Sequence, residues 1–371
     1  MAEYESEPKA SFDAIRPILI IDTATFRRNS IFLEHFFVAL ADESIHAAIV
    51  CPSECDTRMI LSPAIKVITH PACRIPLFWR YNRDRLMEQI EKFAPSVLHC
   101  IGREYLALSR KIARQFAVPY LITARGMDTF PRADITNPLC AGFIVPCASV
   151  RAYIAGEYPA FASRIEQIEM GAFVEDSCAC FAKPQRVPSM VVVRPLDTAK
   201  EFEPLLYAVK HLAVERGEFV MAIIGSGKGE FAVRKMVREM GLSQIVTIVP
   251  DFNPLRALFS ESDIFIQPRP TNAFSVPLLE AMSVGMAVAG CKGGVDDLLI
   301  KDRTAVLFDP DDHLSIYATL GQLLDDRIGA QQLACGAQSY LRQHHRVSKM
   351  MSGLIEAYGR VALKGGLADS K

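Results

Sequence analysis

The chain has 371 residues, 50% of them hydrophobic and 22% charged, with a formal net charge of −1. That length predicts two or three domains, and the apolar share is enough for sizeable cores. A general nucleic-acid binder usually carries a basic excess, so the charge balance argues against that class.

The opening "MAEYESEPKASFDA" is acidic and polar, without the regions of a signal peptide. "RPILIID", ending at Asp22, is a short apolar run of the kind that forms a buried parallel strand. "SIFLEHFFVALADE" repeats apolar residues at helical spacing, and "AAIVCP" and "KVITHP" are predicted strands. "RDRLMEQIEKFAP" is an amphipathic helix that stops before Pro95. Strands "SVLHCIG", "YLITARG" and "AGFIVPCA" then alternate with helices "REYLALSRKIARQFAVP" and "SVRAYIAGEYP". "AKPQRVPS", rich in Pro and polar residues, reads as a linker. Alternation then restarts with strand "MVVVRPL", a helix ending at Gly217, and "FVMAIIGSGKG". A helix ending at Gly241 follows, then strands "IVTIVP", "DIFIQP", "MAVAGC" and "AVLFDP". A short helix starting at Pro277 and stopping at Gly285 would put Glu280 in its first turn. Two helical segments, "LSIYATLGQLLDD" and roughly 330 to 363, close the chain.

The predicted class is α/β: two Rossmann-like domains facing a cleft, with ligands beyond the carboxyl ends of the strands. The expected division is 1–185, 186–345 and a C-terminal helix at 346–371 that packs back on the first domain. No run reaches the length of a membrane span. The ten cysteines lack C-x-x-C spacing at Cys51/Cys55 and Cys178/Cys180. They are read as reduced thiols of a cytosolic protein, with no metal site.

Single motifs admit two readings each. Gly225, Gly227 and Gly229 in "IIGSGKGE" make either a tight strand-to-helix turn or a phosphate contact. Their spacing is not that of a nicotinamide-binding fingerprint. Arg194 and Lys200 in "VVVRPLDTAKEF" suit a diphosphate, or form surface pairs with Asp197 and Glu201. Glu280 holds a ligand, or serves only the helix dipole. Gly293, Gly294, Asp296 and Asp297 in "CKGGVDDLL" can be plain capping. "PLFWRYNRDR" interleaves Phe78, Trp79 and Tyr81 with Arg80, Arg83 and Arg85. It is either a helix start with solvated arginines or a strip that touches anionic membrane.

The combination "DIFIQP…TNAFSVPLLEAMSVGMAVAGCKGGVDDLL…AVLFDPDD" resembles the C-terminal signature of family-4 retaining glycosyltransferases of the GT-B fold. "VVVRPLDTAK", "AIIGSGKGE", "RIEQIEMGAF" and "PYLITARGMD" fall in the family's order, and the resemblance is strongest from 189 to 312. It implies sugar transfer from a nucleoside-diphosphate sugar to a glycan or lipid-linked acceptor, at the inner face of the membrane where the acceptor is lipid-linked. It implies no cofactor and no metal. By the same resemblance Glu280 holds the ribose hydroxyls, and Arg194 and Lys200 neutralise the diphosphate. The amides of Phe274, Ser275 and Val276, with Gly225, meet the donor, and Arg125 and Asn272 stand at the transferred sugar. In the family the donor's own phosphate takes the acceptor proton, which matches the lack of a nucleophile among these motifs.

Departures accompany the resemblance. Asn272 stands where the family has its first Glu, Ala273 and Ser275 replace glycines, and "DTATFRRNS" holds no Gly. Arg125 replaces a His, and Lys200 lies one residue further from Arg194 than usual. These leave a second reading: a GT-B-fold protein that binds nucleotide sugars or glycans without turnover.

Overall fold

The computed structural model describes residues 15–366, apart from residues 29, 61, 72–75 and 253. The acidic tail discussed above lies outside the described residues. The chain divides into two units, Met1–Gly171 with Val347–Lys371, and Ala172–Arg346.

The first unit holds β1 (Pro17–Ile21), β2 (Ala47–Pro52), β3 (Ile65–His70), β4 (Val97–Ile101), β5 (Tyr120–Thr123), β6 (Cys140–Val145) and β7 (Ile165–Gln167). Their order across the sheet is β3-β2-β1-β4-β5-β6-β7, all parallel. The second unit holds β8 (Ser189–Val193), β9 (Val220–Ile224), β10 (Val246–Val249), β11 (Ile264–Gln267), β12 (Ala287–Gly290) and β13 (Val306–Leu307). Their order is β10-β9-β8-β11-β12-β13, again all parallel. Helices cover both faces of such sheets, so the central strands are apolar on both sides, as "PILII" and "IFIQ" are. The helices end where the glycines are: Gly217, Gly241 and Gly285 take φ of +81°, +76° and +80°, a conformation glycine adopts without a Cβ penalty.

Two boundaries differ from the sequence reading. The second unit begins at Ala172 and not after residue 185. The reason lies in bonding ahead of the proline-rich stretch. The amides of Glu175, Ala179 and Cys180 donate to the carbonyls of Ser283, Val284 and Gly285. Cys180 and Phe181 enter that unit's core, and the Phe181 amide donates to Asp263 at 2.7 Å. The helical stretch expected at 330 to 363 is two helices, Arg327–His344 and Val347–Gly366, broken at His345 and Arg346. That break is the second unit boundary, and the last helix buries Met350, Leu354 and Tyr358 in the first unit's core beside Phe36 and Leu19. Among the described residues no helix is long and apolar enough to cross a membrane.

His99 on β4 is buried beneath that helix. Its Nδ1 lies 2.6 Å from Tyr358 Oη and its Nε2 2.5 Å from Thr123 Oγ1. Burial pushes the imidazole from its usual value of 6.5 down to about 3. The unfolded chain therefore binds a proton below pH 6.5 that the folded chain refuses. Stability is fully present above that value and is lost as pH falls through the window toward 3. We predict that the melting temperature of the wild type drops between about pH 7 and about pH 5. His99→Gln should flatten this slope while melting earlier at neutral pH. An unchanged slope would show that other groups carry the acid lability.

Candidate functional site

Ligands of open parallel sheets sit beyond the carboxyl ends of the strands, where strand order reverses. In the second unit that point lies between β8 and β11, paired from Ile264↔Met190 to Ile266↔Val192. Arg194 leaves the end of β8. Its Nη2 and Nε lie 2.7 and 2.8 Å from Glu201 Oε2, and its side chain is 20% exposed. Gln267 ends β11, is buried, and has no hydrogen-bond partner on either side-chain amide atom among the described residues. Arg269, which the sequence reading passed over, donates from Nε to the Glu201 carbonyl at 3.1 Å and pairs with Asp311. One residue thus holds both arginines, Glu201 with its carboxylate for Arg194 and its carbonyl for Arg269. Burial raises the thiol of Cys291, which follows β12, to about 11, opposed by the positive charges of Arg269 and Arg194. Both cations therefore stand near one edge of the sheet. Lys200 lies in the turn Ala199–Phe202, exposed, with no side-chain partner among the described residues.

The three glycines of "GSGKG" have a packing reason. A Cβ on Gly225 would overlap the Arg194 carbonyl oxygen, one on Gly227 would lie 2.5 Å from the Leu196 carbonyl, and one on Gly229 2.8 Å from that of Asp197. The turn after β9 therefore lies backbone on backbone against the Arg194 loop.

The loop after β11 is held by a second one. Thr271 pairs with Gly294, and the Val295 amide donates to the Thr271 carbonyl at 2.7 Å. The Asp296 carboxylate accepts from the Gly293 amide at 2.9 Å, so this pair of glycines and its acid form a local turn. Asn272 is exposed on the loop, while Phe274 and Val276 are buried. Ser275 caps the helix Val276–Ser283, its hydroxyl accepting from the Leu278 amide at 3.3 Å.

Glu280 requires a correction. The helix starts at Val276, so Glu280 is its fifth residue, and the first turn holds no acidic group. A dipole role weakens steeply beyond that turn. The side chain is instead 2% exposed, with Oε2 3.2 Å from Arg256 Nη1. A buried carboxylate needs such a partner, because desolvation of an ion costs several kcal/mol.

In the first unit, Arg125 lies two residues past β5. It lines a cavity of about 30 Å³ with His99, Thr123, Ile144, Pro146 and Met350. Of the aromatic–basic strip, the side chains of Phe78, Trp79 and Arg80 lie outside the described residues. Tyr81 is exposed on the helix Pro76–Phe93, and Arg83 pairs with Asp84. Among the described residues no three His, Cys, Asp or Glu side chains group to hold a metal.

Comparison with known proteins follows the same lines. Residues 179–340 match the family model for glycosyl transferases group 1. The sulfoquinovosyl transferase SQD2 of Arabidopsis thaliana is 22% identical over 279 residues. That stretch is 66% of this chain and 52% of the plant protein, so the chain spans about half the length of that relative. A glycosyltransferase from Rickettsia africae superposes with a TM-score of 0.75 at 15% identity, covering 94% of this chain and 98% of that one. Anabaena Alr3699/HepE, solved with UDP and glucose, gives 0.75 at 13% identity, covering 93% and 99%. The fold is GT-B, as its structural neighbours are. The residues matched by the family model, 179–340, lie within the second unit.

Gly225→Ala tests the packing account. Overpacking typically costs about 1–3 kcal/mol, and here the obstacle is backbone. We predict an earlier thermal melt, because the Arg194 loop must move. A variant as stable as the wild type would mean that the two loops separate freely.

Proposed function

We propose that this chain transfers a sugar from a nucleoside-diphosphate sugar to a hydroxyl of a glycan or lipid-linked acceptor, with retention at the anomeric carbon and without a metal. The observation that carries the reading is Glu280. A carboxylate this dry, one turn inside a helix whose capped N-terminus is at Ser275, is suited to accept hydrogen bonds from two neighbouring ribose hydroxyls. Arg194 and Lys200 then offset the diphosphate charge. The amides of Phe274, Ser275 and Val276 lie at the start of the helix, where N–H groups lack internal acceptors. Gly225 allows the backbone to approach the donor. Asn272 contacts sugar hydroxyls as both donor and acceptor.

In the step itself, the acceptor oxygen bonds to the anomeric carbon as the bond to the diphosphate oxygen breaks on the same face. The acceptor proton passes to the departing diphosphate. The protein contributes positioning and charge stabilisation. A lipid-linked acceptor would bring the chain to the inner face of a membrane.

The test is calorimetric binding of UDP and UDP-glucose, probes chosen because Alr3699/HepE structures hold them. Bonds to a charged partner are worth roughly 1.5–3 kcal/mol each, and about 1.4 kcal/mol is tenfold. Glu280→Ala should therefore weaken binding by roughly tenfold or more, and Glu280→Gln by less. If both variants bind like the wild type and merely melt earlier, Glu280 is only a structural partner of Arg256.

The exposed Asn272, in place of a carboxylate, favours a second reading in which the protein binds donors without turnover. Asn272→Glu separates the two. In a silent protein it should produce donor hydrolysis or transfer, whereas in an active one it should change sugar preference or slow the reaction. Indifference to every donor would place Asn272 outside the site.

A further inference from the structure

Arg256 lies outside every motif that suggested this function, on the short helix Arg256–Phe259 ahead of β11. Its guanidinium is nonetheless a hub of the second unit. Nη1 lies 3.2 Å from both Glu280 Oε2 and Ser283 Oγ. Nη2 donates to the Phe173 carbonyl at 3.0 Å and to Glu175 Oε1 at 2.6 Å. One planar fork thus joins two groups three residues apart on the helix Val276–Ser283 to the segment with which the second unit begins. That segment is fixed independently from its other side. Gln338 Nε2 donates to the carbonyls of Glu175 and Ser177 at 3.1 and 2.9 Å, and to that of Ser283 at 3.3 Å.

We propose that Arg256 is the positioning residue for Glu280, and that through it the 172–181 segment sets the affinity of the site for its donor. The inference rests on the donor reading of Glu280. It goes further in assigning a role to a side chain outside the set proposed to hold the donor, and in making donor binding depend on a strap remote in sequence. The physical reason is the geometry of the fork. Glu280 could place its carboxylate in more than one rotamer, and a buried charge would move toward whatever cation it can reach. Arg256 offers Nη1 to Glu280 while Nη2 is anchored by Phe173 and Glu175, so the carboxylate meets its cation at a single place. Lysine at this position would keep the charge but not the divided anchoring, because an ammonium on a flexible stem has no fixed fork. Glu175 acts one step further out. Without its carboxylate Nη2 keeps only the Phe173 carbonyl, and Nη1 is held less firmly against Glu280.

The test is a double-mutant cycle read by calorimetric affinity for UDP on the full chain, with a melting curve on each variant. Arg256→Lys should weaken UDP binding about three- to tenfold. Glu175→Gln should weaken it less, in the same direction. In a Glu280→Gln background Arg256→Lys should have no further effect on UDP affinity, because the only route by which it acts has been removed. A purely structural Arg256 would lower the melting temperature alike in both backgrounds and leave UDP affinity alone, and that result overturns the inference. An equal affinity loss in both backgrounds overturns it too, since Arg256 would then act on the donor without Glu280. A wild type that binds neither UDP nor UDP-glucose overturns the donor reading and this inference with it. Wild-type binding with an indifferent Arg256→Lys overturns this inference alone.

Discussion

Parallel pairing is the constraint from which the rest of this structure follows. Parallel strands cannot be joined by a tight hairpin, so each return crosses a face of the sheet and every strand ends at the same edge. In the second unit that rule delivers the residues following β8, β9 and β12, together with the last residue of β11, to one rim: Arg194, Gly225, Cys291 and Gln267. Strand order reverses between β8 and β11, the kind of place where ligands of open parallel sheets bind, and Arg194 and Gln267 stand at that point. A one-residue slip of β11 against β8 would exchange the core-facing Ile266 with the face of Gln267, and the rim would be lost with the core.

Three arginines of the second unit are already engaged. Glu201 binds Arg194 through its side chain and Arg269 through its carbonyl, and Arg256 is shared among Glu280, Glu175 and the Phe173 carbonyl. Such pairing restricts long side chains in advance, so less conformational entropy is lost when an anion replaces one of the partners. Glu280 is the reverse case, an acid buried to 2% exposure whose desolvation is offset by an arginine that is itself one quarter exposed. The backbone cooperates in the same region. The glycines after β9 let that turn lie on the Arg194 loop without intervening side chains, which ties the position of Arg194 to the strand beside it.

Much of this was legible in the sequence, and for local reasons. Apolar runs bounded by Pro, Gly and Asp marked the strands because both faces of a parallel sheet are buried. Helix ends at Gly217, Gly241 and Gly285 could be read because only glycine enters the left-handed region at no steric cost. The Ser275 cap involves a residue three positions away, so it too is written in a short stretch. The misreadings are instructive. "AKPQRVPS" has the composition of a linker, yet the chain had joined the second unit at Ala172, because strand-like bonds to residues 283–285 form before the prolines arrive. Glu280 was placed in the first turn because Pro277 marks a helix start, whereas the proline is the second helical residue.

By itself, then, the sequence determined the α/β alternation, the positions of the turns and caps, and a set of polar residues at strand ends. Each of these depends on neighbours within a few residues, where backbone sterics and short-range hydrogen bonds decide. Only the tertiary structure decided what those polar residues do to one another. Glu280 meets Arg256 across 24 positions, and Arg256 meets Glu175 across 81. Glu201 gains its second arginine across 68, and Tyr358 reaches His99 across 259. No periodicity carries such pairings, because they arise where crossovers bring separate strand ends to one edge and where burial makes an unpartnered charge too costly to leave alone.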